Sequence, residues 1–250
     1  MCYNGFMKYI EWNKFKNVTA FTTTREIGNV GYHVGNEKGE VAKRRSAITD
    51  DLKIPVENLI FVHQYHSDII SEVTKKDIGK GSFDFESGIE GDALYTKETN
   101  IAIGVFHADC VPVFFYIPSK EIVGVIHAGY EGTLKEITAK SMRFLKEMEN
   151  VNPKDIRVHI GPSRKFYSYD ISKQEADFII SLGYEKSLKL NGDKILFDVP
   201  FMNYLQLIKE GIQIENITIT EEDTYDNPRL FSAHQKTPVG RMASLIMRRD

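Results

Sequence analysis

Cysteine is nearly missing from this 250-residue chain, which has two, Cys2 and Cys110. Two thiols cannot supply the disulfide framework of a small extracellular domain. There is no apolar stretch long enough to cross a bilayer, which excludes a membrane span. No Pro/Gly/Ser linker, low-complexity tract or internal repeat divides the sequence, so residues 1–250 are expected to form a single domain. The opening "MCYNGFMKYIEWNK" lacks the basic leader and unbroken apolar core of a secretory signal. That points to a cytoplasmic protein whose thiols stay reduced and unpaired. Basic charge is not in excess either: the net charge is −3 with both signs interspersed, which leaves no electrostatic footprint for nucleic acid.

What is present is enough apolar sequence for a sizeable core. Runs rich in β-branched and aromatic residues predict strands near 18–24, 59–65, 101–106, 110–117, 122–127, 156–160, 195–199 and 216–220. Helical spacing predicts helices at 37–52, 133–149, 172–182 and 200–210, with Pro200 in the first turn of the last. In 133–149, Leu134, Ile137, Ser141, Leu145 and Met148 fall on one stripe, and Thr133 with Glu136 makes a capping-box pattern at its start. Irregular alternation of strands and helices implies an α/β (α+β) fold with mixed sheets packed together and helices outside.

The segment "HADCVPVFFY" places Cys110 at the mouth of an apolar run. A buried thiol that only fills space is one reading; a metal ligand or a nucleophile is the other. "PSK" separates "CVPVFFYI" from "EIVGVIHAG", so the two runs should pair as an antiparallel hairpin. If Pro118 faces Glu121, Pro112 faces His127 and Cys110 faces Gly129. Cys110 and His127 then share a face as diagonal neighbours, about 7–8 Å apart between backbones. A third group is available in "FVHQYHSD", where either His63 or His66 could join them but not both, because residues three apart in a strand point to opposite faces. Two imidazoles and one thiolate would suit a tetrahedral zinc with an open fourth position.

Six motifs in order sharpen this picture: "QYHSD", "GDALYT", "ADCVPVFFY", "GVIHAGYEGT", "IGPS" and "GRMASLI". Together, from about Phe21 to Met247, they resemble the laccase-domain (YfiH-like) family, whose members are also called polyphenol oxidases and are described as purine nucleoside phosphorylases. The resemblance implies a zinc site made of His66, Cys110 and His127, so it selects His66 over His63. It implies an α/β domain with mixed sheets and helices outside. It also implies phosphorolysis of adenosine, inosine, guanosine and methylthioadenosine, with purine nucleoside and phosphate as small-molecule partners and adenosine deamination as an added activity.

The chain departs from the family pattern around these ligands. "W-R-G" reads Tyr130-Glu131-Gly132, and the late "C-T-Y" reads Asp223-Thr224-Tyr225. The "S-L-N-L-G" before "H-V-G-D" is shortened to "REIGNVGYHVGN", and the second Gly-Pro after "IGPS" is missing. An acid therefore stands where a basic group could meet phosphate: either Glu131 points away, another cation such as Arg25 or Arg241 compensates, or the anion is not bound there. Arg25, Asp109, Tyr130 and Arg241 are the candidate substrate-binding residues. Asp109 and Glu131 are candidate proton carriers for deamination, although orienting a ligand by hydrogen bonding for Asp109 and a helix-start role for Glu131 rank above that. His33, His107, His159 and His234 read as structural or surface histidines. Seven histidines without any His-x-His pair argue against a multicopper laccase, and copper is expected only adventitiously. A metal-free Cys110–His127 hydrolase and a binding protein without catalysis are the alternatives.

Overall fold

The computed structural model describes residues 8–235 and 239–250 apart from Asn13 and Asn36, so Cys2 and its expected reduced state lie outside the described residues. Six strands form the first sheet: β1 (Tyr9–Glu11), β2 (Val18–Thr23), β3 (Leu59–His63), β5 (Ile89–Glu90), β7 (Ala102–His107) and β15 (Met242–Arg248). Six form the second: β4 (Ile70–Val73), β6 (Ala93–Thr96), β8 (Val111–Ile117), β9 (Ile122–Ala128), β10 (Arg157–Ile160) and β14 (Ile217–Ile219). Their orders are β1-β2-β15-β7-β3-β5 and β14-β10-β8-β9-β6-β4, and both mix parallel with antiparallel pairs. A small third sheet joins β11 (Asp170–Ile171), β12 (Leu188–Asn191) and β13 (Lys194–Phe197). The helices are α1 (Lys38–Leu52), α2 (Tyr130–Leu134), α3 (Ile137–Met148), α4 (Lys173–Ser181) and α5 (Val199–Lys209).

The two large sheets lie face to face. Along β8, Phe114 and Tyr116 join Val123 and Val125 of β9 in a core shared with Ile60, Ile103 and Ile246 of the first sheet. The alternate residues Val113, Phe115 and Ile117 point the other way, onto Met142 and Leu145 of α3 and Met202 and Leu207 of α5. The outer face of the first sheet packs Phe61, Phe106 and Leu245 against Ile48 and Leu52 of α1. Strands buried on both faces need apolar residues at every position, which is why these runs read as continuous rather than alternating.

The predicted hairpin register holds at every position, with Pro112 opposite His127 and Ile117 opposite Ile122. The turn is a single 3₁₀ turn, Pro118–Lys120, closed by Glu121 at φ 55°. The predicted 133–149 helix is instead two pieces, because Glu136 takes a left-handed conformation (φ 60°). Tertiary partners make that break favourable. Gln206 of α5 donates to Thr133 O at 2.8 Å and accepts from Ala139 N at 3.2 Å, satisfying backbone groups that the break exposes. Thr133 is therefore no N-cap: its hydroxyl donates to Ala128 O and accepts from Asn203. Met148, expected on the buried stripe, is exposed. β15, central in the first sheet between β2 and β7, went unpredicted as a strand. No helix among the described residues is long and apolar enough to cross a membrane.

Gly124 lies opposite Phe115, and a Cβ there would fall 2.0 Å from the ring's Cζ. Gly124→Ala should therefore destabilise the fold by about 1–3 kcal/mol, the usual cost of overpacking, in denaturant unfolding. Unchanged stability would show that the ring is not seated on the glycine.

Candidate metal centre

Two chain crossings between the large sheets meet at one end of their interface. Residues 64–69 pass from β3 of the first sheet to β4 of the second and carry His66; residues 108–110 pass from β7 to β8 and end in Cys110. His127 is the penultimate residue of β9, on the same side of its strand as Val123 and Val125. The side-chain donor atoms of these three residues all lie within 4.8 Å of one another, with Cys110 Sγ 3.9 Å from His66 Nε2. His127 is buried, Cys110 is half-buried and His66 is exposed, so the cluster opens to solvent on the His66 side.

Gly129 closes the floor. A Cβ at this position would stand 2.6 Å from His66 Cδ2 and 3.0 Å from Cys110 Sγ. Its φ of −71° is ordinary, so the demand for glycine here is one of space and not of backbone conformation.

The organising group is Asp92, which the sequence reading did not single out although it lies in "GDALYT". Its fully buried carboxylate accepts from His127 Nδ1–H at 2.8 Å. It also accepts from the backbone N–H of Tyr65 at 3.2 Å, His66 at 3.0 Å and Ser67 at 2.6 Å. Three successive amides converging on one carboxylate stabilise the left-handed His66 (φ 61°) and turn its ring toward Cys110. Burial opposes ionisation of Asp92, but the bonds from His127 and Ser67 outweigh it and bring its pKa down to about 2. With Nδ1–H committed to Asp92, His127 presents Nε2 to the thiol. Burial works against the Cys110 thiolate, yet the charge and hydrogen bond of His127, with those of His66, draw its pKa below the ordinary thiol range. His127 moves upward for the reciprocal reason, after burial is overcome.

The other candidates divide. Asp109, adjacent to Cys110 with φ 102°, does not orient a ligand; that role belongs to Asp92. Its carboxylate accepts from Thr224 Oγ1, Ser232 Oγ, Ala233 N and His234 Nδ1, at 2.7–3.0 Å, and thereby anchors the segment leading to β15. Both its oxygens are engaged in these bonds. Glu131 is exposed and lies 3.6 Å from Lys135 one turn on, as expected for a helix-start acid. Tyr130, next to Gly129, stacks on Tyr169 and donates to Glu175 Oε1 at 2.8 Å. Tyr169, also missed in the sequence, has its hydroxyl pKa pushed up to about 12, first by burial and then by the charge of Cys110. Burial lowers the pKa of Arg241, while the neighbouring charges of Cys110 and Asp109 pull it back up. Its guanidinium donates to its own neighbour Gly240 O at 3.0 Å.

Arg25 does not join the cluster. It lies in a separate cavity with Phe231. The remaining histidines have structural settings. His107 Nε2 bonds Ser244 Oγ, His159 is stacked with Trp12 and Phe114, and His33 and His63 pack on Phe85. His234 bonds Asp109.

Comparison with known proteins agrees with this architecture. Residues 20–249 match the family model described as multi-copper polyphenol oxidoreductase laccase. The chain is 33% identical over 246 residues to purine nucleoside phosphorylase YlmD of Bacillus subtilis (strain 168), covering 92% of this chain and 88% of that protein. Among solved structures it is similar to a Bacillus licheniformis hypothetical protein YfiH, with TM-score 0.92, 28% identity and 97% of each chain covered. It is equally similar to YlmD from Geobacillus stearothermophilus, with TM-score 0.91, 28% identity and coverage of 98% of this chain and 97% of that one. With the family model matched over nearly its whole length and the fold shared with these structures, the chain belongs to the multi-copper polyphenol oxidoreductase laccase (YfiH-like) family.

Proposed function

We propose that this chain is a zinc enzyme acting on purine nucleosides, with phosphorolysis as its main reaction and adenosine deamination as an added one. The observation that carries this reading is the convergence of His66, Cys110 and His127 donors within 4.8 Å over the side-chain-free Gly129. Tetrahedral zinc bond lengths put nitrogen and sulfur donors about 3.4–3.6 Å apart, close to the 3.9 Å between Cys110 and His66. Two imidazoles and a thiolate favour zinc over harder cations and leave one position for substrate; copper would enter adventitiously. The purine nucleoside phosphorylase name of the relatives supports the substrate class.

When bound, zinc supplies Lewis acidity toward a substrate oxygen. The chain does the rest. Asp92 holds the tautomer of His127 and the rotation of the His66 loop, so the donors are arranged before any ion arrives. His127 keeps Cys110 in its thiolate form. Arg241 offers positive charge beside the thiol for a phosphate oxygen. Tyr130 and Tyr169 form an aromatic wall against which a purine can pack. Asp109 acts on substrate through the segment it anchors. Glu131 is exposed and pairs with Lys135, whose ammonium also donates to His66 O and offsets the acid's charge near the centre.

One observation favours a second reading. Cys110, His127 and Asp92 form a row of thiol, imidazole and carboxylate, the arrangement of a nucleophile with its base and the base's orienter. A hydrolase of this kind has no use for His66 and is inhibited by the ion that the first reading requires.

Protein purified without added metal should contain about one zinc per chain and should release base from adenosine, inosine, guanosine or methylthioadenosine only when phosphate is present. Activity that rises on zinc removal would establish the hydrolase instead. A zinc-loaded protein inert toward all four nucleosides, with and without phosphate, would overturn the substrate assignment.

Gly129→Ala should lose zinc to a chelator far faster than the parent, because the backbone there accepts alanine while its Cβ displaces the His66 ring and crowds Cys110 Sγ. Asp92→Asn should lower zinc affinity by about 10–100-fold in chelator competition. It should also lower stability, since Asp92 accepts four hydrogen bonds in the interior. Parent-like zinc affinity in this variant would show that the histidines orient themselves.

A further inference from the structure

The cavity that holds Arg25 has a volume of about 470 Å³ and lies between the segment after β2 and the segment before β15. None of His66, Cys110 and His127 lines it. Two guanidinium groups do, from Arg25 and Arg44. Arg25 Nη2 donates to Gln235 Oε1 at 2.5 Å, and its guanidinium carbon stands 5.3 Å from the centre of the Phe231 ring. Its Nε is buried with no hydrogen-bond partner. Burial lowers the Arg25 pKa. Hydrogen bonds from a guanidinium to an anion are charge-assisted and among the strong ones.

Arg44 faces the same space. Its Nη1 donates to Asn29 O at 3.1 Å, and its Nη2 lies 3.5 Å from Glu37, whose side chain is 67% exposed. An ion pair that long and that open to water is weak and easily exchanged. Gly28 (φ +90°) allows the close approach: a Cβ there would fall 2.6 Å from Arg44 Nε, so the guanidinium lies against bare backbone. Phe231 and Val239 give the cavity apolar surface.

The volume falls within the roughly 300–1,000 Å³ of small-molecule sites. Among the described residues, two cations against one outward carboxylate leave the lining positive, and guanidinium forks match phosphate oxygens two at a time. We infer that this cavity binds the phosphate group of a small molecule, either inorganic phosphate or a phosphate monoester whose organic part rests on Phe231, at a site distinct from the metal centre.

Calorimetric titration of the full chain with inorganic phosphate, with AMP and with adenosine tests this and separates the two sources. Binding of AMP well above that of phosphate identifies the monoester, and equal or weaker AMP binding identifies the free ion. Affinity for the phosphate probe should fall roughly tenfold or more in Arg25→Gln and in Arg44→Gln, the loss expected of a charge-assisted fork. It should persist in His66→Ala, which disrupts only the metal centre. Glu37→Gln, a surface change that removes the carboxylate from the lining, should tighten binding, and it keeps the test valid if an arginine variant fails to fold. The inference is overturned if neither phosphate probe binds, if binding survives both arginine substitutions, or if binding disappears with His66→Ala.

Discussion

Everything at the metal centre hangs from one buried carboxylate. Asp92 begins the approach to β6, yet its oxygens reach the crossing that carries His66 and the strand that carries His127. An uncompensated carboxylate with no exposure would be strongly unfavourable in the interior. Four donors compensate it, and the same four bonds fix the geometry of two of the three ligands. Burial and orientation are thus one constraint, and the left-handed His66 follows from it.

The location of the centre follows from the two-sheet architecture. Strands packed on both faces offer no room for polar chemistry, so reactive groups collect where the chain leaves one sheet for the other. Cys110 and His66 occupy two such crossings, and His127 lies at the adjoining end of β9. Glycine at 129 keeps the space between them open. Around this floor, Asp109 anchors the segment running into β15 and so brings Arg241 near the thiol, while Tyr130 and Tyr169 stand on another side. Rigid strands carry the ligands, and longer segments supply the walls.

The two aspartates show where reading the sequence succeeds and where it fails. Asp109 is next to Cys110 in the chain, and proximity made it the natural partner of a ligand. The structure turns its carboxylate to Thr224, Ser232 and His234 instead. Asp92 is 26 and 35 residues from the two ligands it organises, and only its place in a short motif marked it. The broken helix at Glu136 has the same origin, since Gln206 comes from a distant helix to bond the backbone groups that the break frees.

By itself the sequence determined the hairpin, through its turn residues and two apolar runs of matched length, and the register that sets Pro118 opposite Glu121 is the one the strands adopt. It also determined the layered α/β class through the alternation of buried strands with helical stripes. Tertiary structure alone decided the pairing of sheets, the central place of β15, the choice of Asp92 over Asp109, and the removal of Arg25 to a cavity of its own. Local propensity and spacing act over a few residues, whereas the direction of a carboxylate or a guanidinium depends on which donors, acceptors and open space the folded chain brings to it from far away.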